Sequence, residues 1–198
     1  MAARHRFNLP AALGTEEVLI EELAELGISG RKAARGSVSF LGSLEDGYRV
    51  CLWSRTATRV LLEIAHFPAE SADQLYKGTS SVHWKEHLAP EGTLAVTFAG
   101  RSKGINNTQF GARRTKDAIV DQLRGPAGQR PGIDLKNPDL RINVHLHQDE
   151  ATVSVDLSGA PLHLRGLSRH QGVALAQECG LQVVCGPRPF GPLALLGG

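Results

Sequence analysis

The first third of the chain switches repeatedly between a two-residue and a roughly 3.6-residue hydrophobic period. "RHRFNL" (4–9) alternates as a short strand. "TEEVLIEELAELG" (15–27) predicts a helix with Leu19, Leu23 and Leu26 on one stripe. Thr15 is placed to cap it, Glu16 and Glu17 stand in its first turn, where the dipole favours acids, and Gly27 is placed to stop it. "RGSVSFL" (Arg35–Leu41) predicts a second strand, with Val38 and Phe40 on one face. Leu44–Ser54 predicts a second helix, and "ATRVLLEIAHF" (57–67) has the branched residues and length of a third strand. The resulting βαβαβ order is ferredoxin-like.

Pro68 interrupts this run. "ADQLYKG" (72–78) predicts a short helix, "VHWKEHL" (82–88) fits neither period, and "TLAVTFA" (Thr93–Ala99) is a clear strand leading into the polar loop "GRSKGINN". "NTQFGARRTKDAIVDQLR" (Asn107–Arg124) predicts an amphipathic helix with Ala112, Thr115, Ala118, Ile119, Gln122 and Leu123 near one face. "GPAGQRPGIDLKNPD" (125–139) reads as loop by its glycines and prolines. "LRINVHLHQDEATVSVDL" (140–157) predicts an antiparallel hairpin turning at Gln148–Asp149–Glu150. From about Ser168 no period holds, and an irregular tail is expected. The pattern as a whole is that of an α/β (α+β) chain.

Composition narrows the class. With 41% hydrophobic and 21% charged residues among 198, the chain is globular rather than disordered. Cys51, Cys179 and Cys185 form no CxxC pair, which argues against a disulfide scaffold or a zinc ribbon and for free thiols in a reducing, cytoplasmic setting. No signal-type apolar region opens the sequence, and no run approaches the ~18 apolar residues of a membrane helix.

The total charge is only +2, so any case for a nucleic-acid partner rests on where the charges sit. Between Arg101 and Arg124 six basic residues face two acidic ones, a net +4. Arginines near a helix start oppose the dipole unless an anion is bound, and a helix N-terminus is itself an anion site. The segment therefore predicts phosphate contacts from Arg101, Lys103, Arg113, Arg114, Lys116 and Arg124, with Asn106, Asn107 and Thr108 as neutral donors. The alternative is a solvated basic face. "VHLH" puts His145 and His147 on one side of a strand, a spacing able to chelate a metal with Asp156 or His163 as third ligand. A plain exposed strand face accounts for them better. No GxSxG, phosphate loop or GxGxxG is present, so no catalytic, cofactor or metal residue is assigned.

Five stretches occur in a familiar order: "LWSRTATRV" (52–60), "NTQFGARRTKDAIVDQLR" (107–124), "RP" (130–131), "NPDLRINVHLH" (137–147) and "VDLSGAPLHLRG" (155–166). Over about residues 1–166 the chain resembles the N-terminal part of the bacterial 23S rRNA guanine-N2 methyltransferases, a family of bifunctional large-subunit rRNA methyltransferases. The resemblance implies a ferredoxin-like portion (1–45), a THUMP domain (46–157), and a truncated linker with a divergent tail (158–198). It implies that the THUMP domain holds structured 23S rRNA for S-adenosylmethionine-dependent methylation by a catalytic domain normally in the same chain. Charge and helix position then make Arg101, Lys103, Asn107, Arg113, Arg114, Lys116 and Arg124 the expected RNA contacts.

After "LHLRG" the family continues with Tyr-Arg, a linker, an "APLKE"-like helix, and a methyltransferase domain with a glycine-rich cofactor loop and an Asn-Pro-Pro-Tyr-type motif. Here Leu167 and Ser168 follow Gly166, and "GVALAQE" (172–178) looks like a distorted relic. The departure predicts a truncation or frameshift near Leu167, with no cofactor in this chain and no turnover by it alone. A non-catalytic truncated product and a stand-alone RNA-binding adaptor are the alternatives.

Overall fold

The alternation at the start of the chain becomes β1 (His5–Pro10), with Phe7 and Leu9 fully buried. The computed structural model describes residues 4–124, 130–159 and 161–162, and the chain divides into two compact units, the second of which spans Leu61–Gly159. In the first, β1 is followed by α1 (Glu16–Glu25), β2 (Gly30–Ala34), β3 (Ser37–Gly42) and α2 (Leu44–Trp53). β3 runs antiparallel to both β2 and β1. The β1–β3 register sets Phe7 opposite Phe40, and their rings stack at 4.6 Å. Leu19 and Leu23 of α1 and Val50 of α2 are fully buried.

α1 ends as its sequence dictates. Gly27 takes a φ of +75°, its N–H donates to Ala24 O, and the Ile28 N–H donates to Leu23 O, which is the Schellman closure. Its start departs from expectation, because the Thr15 hydroxyl donates to Ala12 O and caps nothing. The capping box belongs to α2: Ser43 Oγ accepts the Asp46 N–H while Asp46 Oδ2 accepts the Ser43 N–H.

β2 is an element that the predicted βαβαβ order lacks. With it, the order from β1 to β4 (Leu61–Pro68) is βαββαβ, the full ferredoxin-like sequence of elements. The unit boundary also falls beyond residue 45, where the sequence suggests one. The Glu22 carboxylate of α1, only 7% exposed, accepts five hydrogen bonds from the corner after α2. Its donors are the Ser54 hydroxyl (2.8 Å), the Arg55 N–H (2.7 Å) and Nε (3.1 Å), and the Thr56 N–H (3.3 Å) and hydroxyl (2.7 Å). That anchor ties the end of α2 to α1.

The second unit begins with β4 and continues through α3 (Ala72–Ser80), a 3-10 turn (Trp84–Glu86), β5 (Thr93–Gly100), α4 (Thr108–Leu123), β6 (Gly132–Ile133), β7 (Leu140–His147) and β8 (Glu150–Asp156). Its strands lie in the order β4-β8-β7-β5-β6. Pairing is antiparallel from β4 through β8 to β7, and parallel from β7 through β5 to β6. A parallel β5–β7 pair needs a crossover, and α4 supplies it. The hairpin turns on Gln148 and Asp149, with φ of 50° and 61°, the type I′ geometry; Glu150 already pairs with His147.

The "VHWKEHL" stretch resolves into the 3-10 turn that buries Trp84 completely among Leu75, Ile119, Leu123, Ile142 and Val144 of one core. Trp84 Nε1 donates to Thr79 O at 2.8 Å. Gln122, on the inward side of α4 as its spacing predicts, accepts the Trp84 N–H at 2.7 Å and donates to Ser80 O at 3.0 Å. Thr115 on the same side is fully buried, and its hydroxyl has no partner among the described residues. Thr115→Val keeps the shape and removes the unsatisfied group, so the urea midpoint should rise by the equivalent of about 1 kcal/mol. A lowered midpoint would mean that the hydroxyl is satisfied after all.

Candidate nucleic-acid interface

The loop between β5 and α4 is pinned by its own backbone. Gly104 N–H donates to Glu70 O at 3.1 Å, Lys103 N–H to Asp149 Oδ1 at 3.4 Å, and Ser102 N–H to Ile105 O at 3.0 Å. Its glycines allow this closeness: a Cβ on Gly100 would stand 1.8 Å from Leu146 O, and one on Gly104 2.4 Å from Glu70 O. The loop thereby holds Arg101 and Lys103 outward, both exposed and without an ion pair or side-chain hydrogen bond among the described residues.

The start of α4 differs from the expected anion site. Asn107 is the N-cap, and its Oδ1 accepts the N–H groups of Gln109 (2.8 Å) and Phe110 (3.1 Å). Two of the free N–H groups expected to meet a phosphate are thus satisfied from within, and the Asn107 oxygen acts as acceptor. Arg113 and Arg114 come only in the second turn, where the dipole has largely faded. Their position needs no bound anion to explain it. Arg113 is exposed and unpaired among the described residues.

Further along, the cations acquire partners. The Arg114 guanidinium pairs with Asp73 Oδ1 at 2.9 Å and lies 4.5 Å from the centre of the Tyr76 ring. The Tyr76 hydroxyl donates to Asp121 Oδ2 at 2.9 Å, and that bond, with burial adding to it, pushes the phenol above its usual pKa. Lys116 pairs with Asp117 at 3.2 Å and Arg124 with Asp121 at 3.6 Å. Tyr76, Arg114, Lys116 and Asp121, together with Arg130 and Ile133, line a depression of about 410 Å3. Arg130 is a site cation that charge counting along 101–124 leaves out.

The seven predicted residues therefore do not form one cluster. Arg101, Lys103 and Asn107 belong to the pinned loop and the cap, and Arg113 follows one turn on. Arg114 and Lys116 face the depression. Arg124 caps the far end of α4, a 16-residue helix about 24 Å long.

The other candidates resolve differently. Among the described residues no three His, Cys, Asp or Glu side chains approach closely enough to hold a metal ion. Asp156 sits at the end of β8 away from the hairpin turn and accepts the Ser158 N–H, and His163 lies outside the described residues, as does the predicted tail from Ser168. No helix among the described residues is long and apolar enough to cross a membrane.

Comparison with known proteins accounts for both units. The RlmL ferredoxin-like domain family matches residues 6–61, and the THUMP domain family matches residues 69–156. The Ribosomal RNA large subunit methyltransferase K/L of Stutzerimonas stutzeri is 49% identical over 178 residues, which are 90% of this chain and 25% of that protein. The chain thus spans about a quarter of the length of the curated relatives it matches. Among solved structures, a predicted N6-adenine-specific DNA methylase from Listeria monocytogenes shares 28% identity at a TM-score of 0.73, covering 87% of this chain and 45% of that one. SMU.472, solved in complex with SAH, shares 28% at a TM-score of 0.71, covering 84% and 45%. A ferredoxin-like unit followed by a THUMP unit, each matched in place, shows that the chain carries an RlmL-type ferredoxin-like domain and a THUMP domain and is similar over 90% of its length to the large-subunit rRNA methyltransferases K/L.

Proposed function

We propose that this chain holds 23S rRNA, or an assembly intermediate of it, for guanine-N2 methylation by a catalytic domain of the same enzyme. The observation that carries the reading is the set of exposed cations Arg101, Lys103 and Arg113, unpaired among the described residues, on a THUMP domain beside a loop fixed by backbone hydrogen bonds. A pinned loop presents its charges without paying ordering entropy on binding. Arg114, Lys116 and Arg130 extend the positive surface into the depression, where Asp117 and Asp121 offset part of their charge. Arg124, paired with Asp121 at the other end of α4, contributes least. Asn107 serves the interface by fixing the helix start.

Methyl transfer belongs, in this reading, to the parts of the relatives outside the match. S-adenosylmethionine is the donor there, in keeping with the SAH bound to SMU.472. The setting is the cytoplasm, where rRNA is modified.

Phosphate contacts release counterions, so each one lost flattens the salt dependence by about 0.7–0.9 in log–log slope. The triple variant Arg101→Ala/Lys103→Ala/Arg113→Ala is expected to bind a structured 23S rRNA fragment more weakly, with the slope reduced by about 2–3. Arg124→Ala is expected to leave the slope nearly unchanged. Filter binding across a salt series decides it, and an unaltered slope in the triple variant overturns the assignment.

A further inference from the structure

His145 and His147 take no part in the cationic grip. They stand two apart on β7, so both side chains leave the same face of the sheet, and both are exposed. Their imidazole rings lie 11° from parallel with centroids 6.1 Å apart. A planar base between two rings needs about twice the ~3.4 Å spacing of stacked bases. Side-chain rotation that opens the pair by roughly 0.7 Å makes that room.

The surroundings suit such a guest. Ala99 lies opposite His145 on β5 and leaves that side of the slot clear. Thr152 lies opposite on β8, bonded to His66 Nδ1 at 3.0 Å. The β5–β7 register ends at Gly100 opposite Leu146, so Arg101 and Lys103 follow at the same end of the sheet as the two histidines. Of the carboxylates at that end, Glu150 meets His66 Nε2 at 2.9 Å and Asp149 accepts the Lys103 N–H at 3.4 Å, while Glu70 is exposed. Partial desolvation of its ring against the sheet, and then repulsion by His147, hold His145 below the ordinary imidazole pKa.

We infer that His145 and His147 form a stacking slot for one unpaired RNA base, whose phosphate meets Arg101 and Lys103. The inference rests on the RNA-holding reading and narrows it to a single-stranded nucleotide. Stacking on an aromatic ring needs only a π-face, so the slot tolerates any base.

The test uses the full chain and a short single-stranded RNA with one central 2-aminopurine, whose fluorescence is quenched on stacking. The wild-type protein is expected to quench it. His145→Ala/His147→Ala is expected to lose the quenching and about tenfold in affinity for the single strand, the scale of one base–aromatic stack. A fully paired RNA of the same length is expected to bind both proteins equally. His145→Phe/His147→Phe, with larger rings and no charge, is expected to restore quenching and affinity. Quenching that survives in the double-alanine protein overturns the slot and leaves the cationic grip intact, since salt-dependent binding persists. A loss that the phenylalanine pair does not restore also overturns it, because the histidines then act by hydrogen bonding or charge. Wild-type protein that binds neither RNA removes the parent reading as well.

Discussion

Replacing Glu22 by alanine is expected to destabilise the first unit by about 3–5 kcal/mol, the scale of removing one partner from a buried, hydrogen-bonded charge. The carboxylate is 7% exposed and is the acceptor for Ser54, Arg55 and Thr56 together. Without it, the Ser54 hydroxyl and the Arg55 and Thr56 N–H groups lose their acceptor at a corner with little access to water. Burial pushes the Glu22 carboxyl up, but the bonds from Thr56, Arg55 and Ser54 outweigh it and hold the pKa below the ordinary 4.5. A carboxyl depressed in the folded state stabilises above its unfolded pKa, and that contribution is lost as pH falls below about 4.5 through the folded value. Hydrogen exchange read by mass spectrometry localises the effect: peptides from 16–60 should lose protection in Glu22→Ala, while those from 93–123 keep it. Glu22→Gln should remove the acid-side loss of protection in the first unit. Equal protection in wild type and Glu22→Ala would sink the claim that this anchor holds the unit.

Trp84→Ala should cost the second unit about 3–5 kcal/mol, the range for truncating a buried aromatic to alanine. The ring is fully buried, and its Nε1–H is the donor to Thr79 O at the end of α3. Truncation leaves a cavity and takes one donor from the Thr79 carbonyl, which keeps the Val82 N–H at 3.3 Å. Because the ring belongs to one core with Leu75 of α3 and Ile119 and Leu123 of α4, its loss should loosen α3 from α4 and blur the depression that Arg114, Lys116 and Tyr76 line. Thermal unfolding by near-UV circular dichroism measures the first effect, and the second appears as weaker rRNA binding with an unchanged salt slope. A midpoint within a degree or two of wild type would show that the core closes over the gap without loss.

The sequence makes most of the fold readable where pattern and local chemistry agree. The Leu19–Leu23 stripe with Gly27 behind it gives both the body and the end of α1, and the alternation over 140–157 gives the hairpin. β2 escapes because "GRKAA" is exposed over nearly its whole length and carries no alternation; its strand state comes from pairing with β3, not from its own residues. Thr15 looks like a cap, yet its hydroxyl turns back to Ala12, a choice made by the local turn. Glu22 reads as one more surface acid on an acidic helix, and only the returning corner 54–56 reveals its burial.

The candidate interface is half legible for the same reason. Concentrated charge over 101–124 points to the segment that carries the exposed Arg101, Lys103 and Arg113. Which charges remain free does not follow from it, because Asp73 reaches Arg114 from α3 and Asn107 fills the helix start with its own oxygen. Arg130 lines the same depression as Lys116, a proximity that charge counting along the chain does not give.

β4 pairs within its unit with β8, Leu61 opposite Asp156 and Pro68 opposite Glu150, so the first strand of the THUMP unit is completed by its last. Among the described residues, the first unit's three strands have, by contrast, all been made by Gly42. On the ribosome, then, the ferredoxin-like sheet can pair soon after it emerges, while β4 waits as an open, half-apolar edge until β8 follows it out. The RNA-holding unit comes into being in one late step, and a chain stalled before Glu150 displays that edge to whatever lies near it.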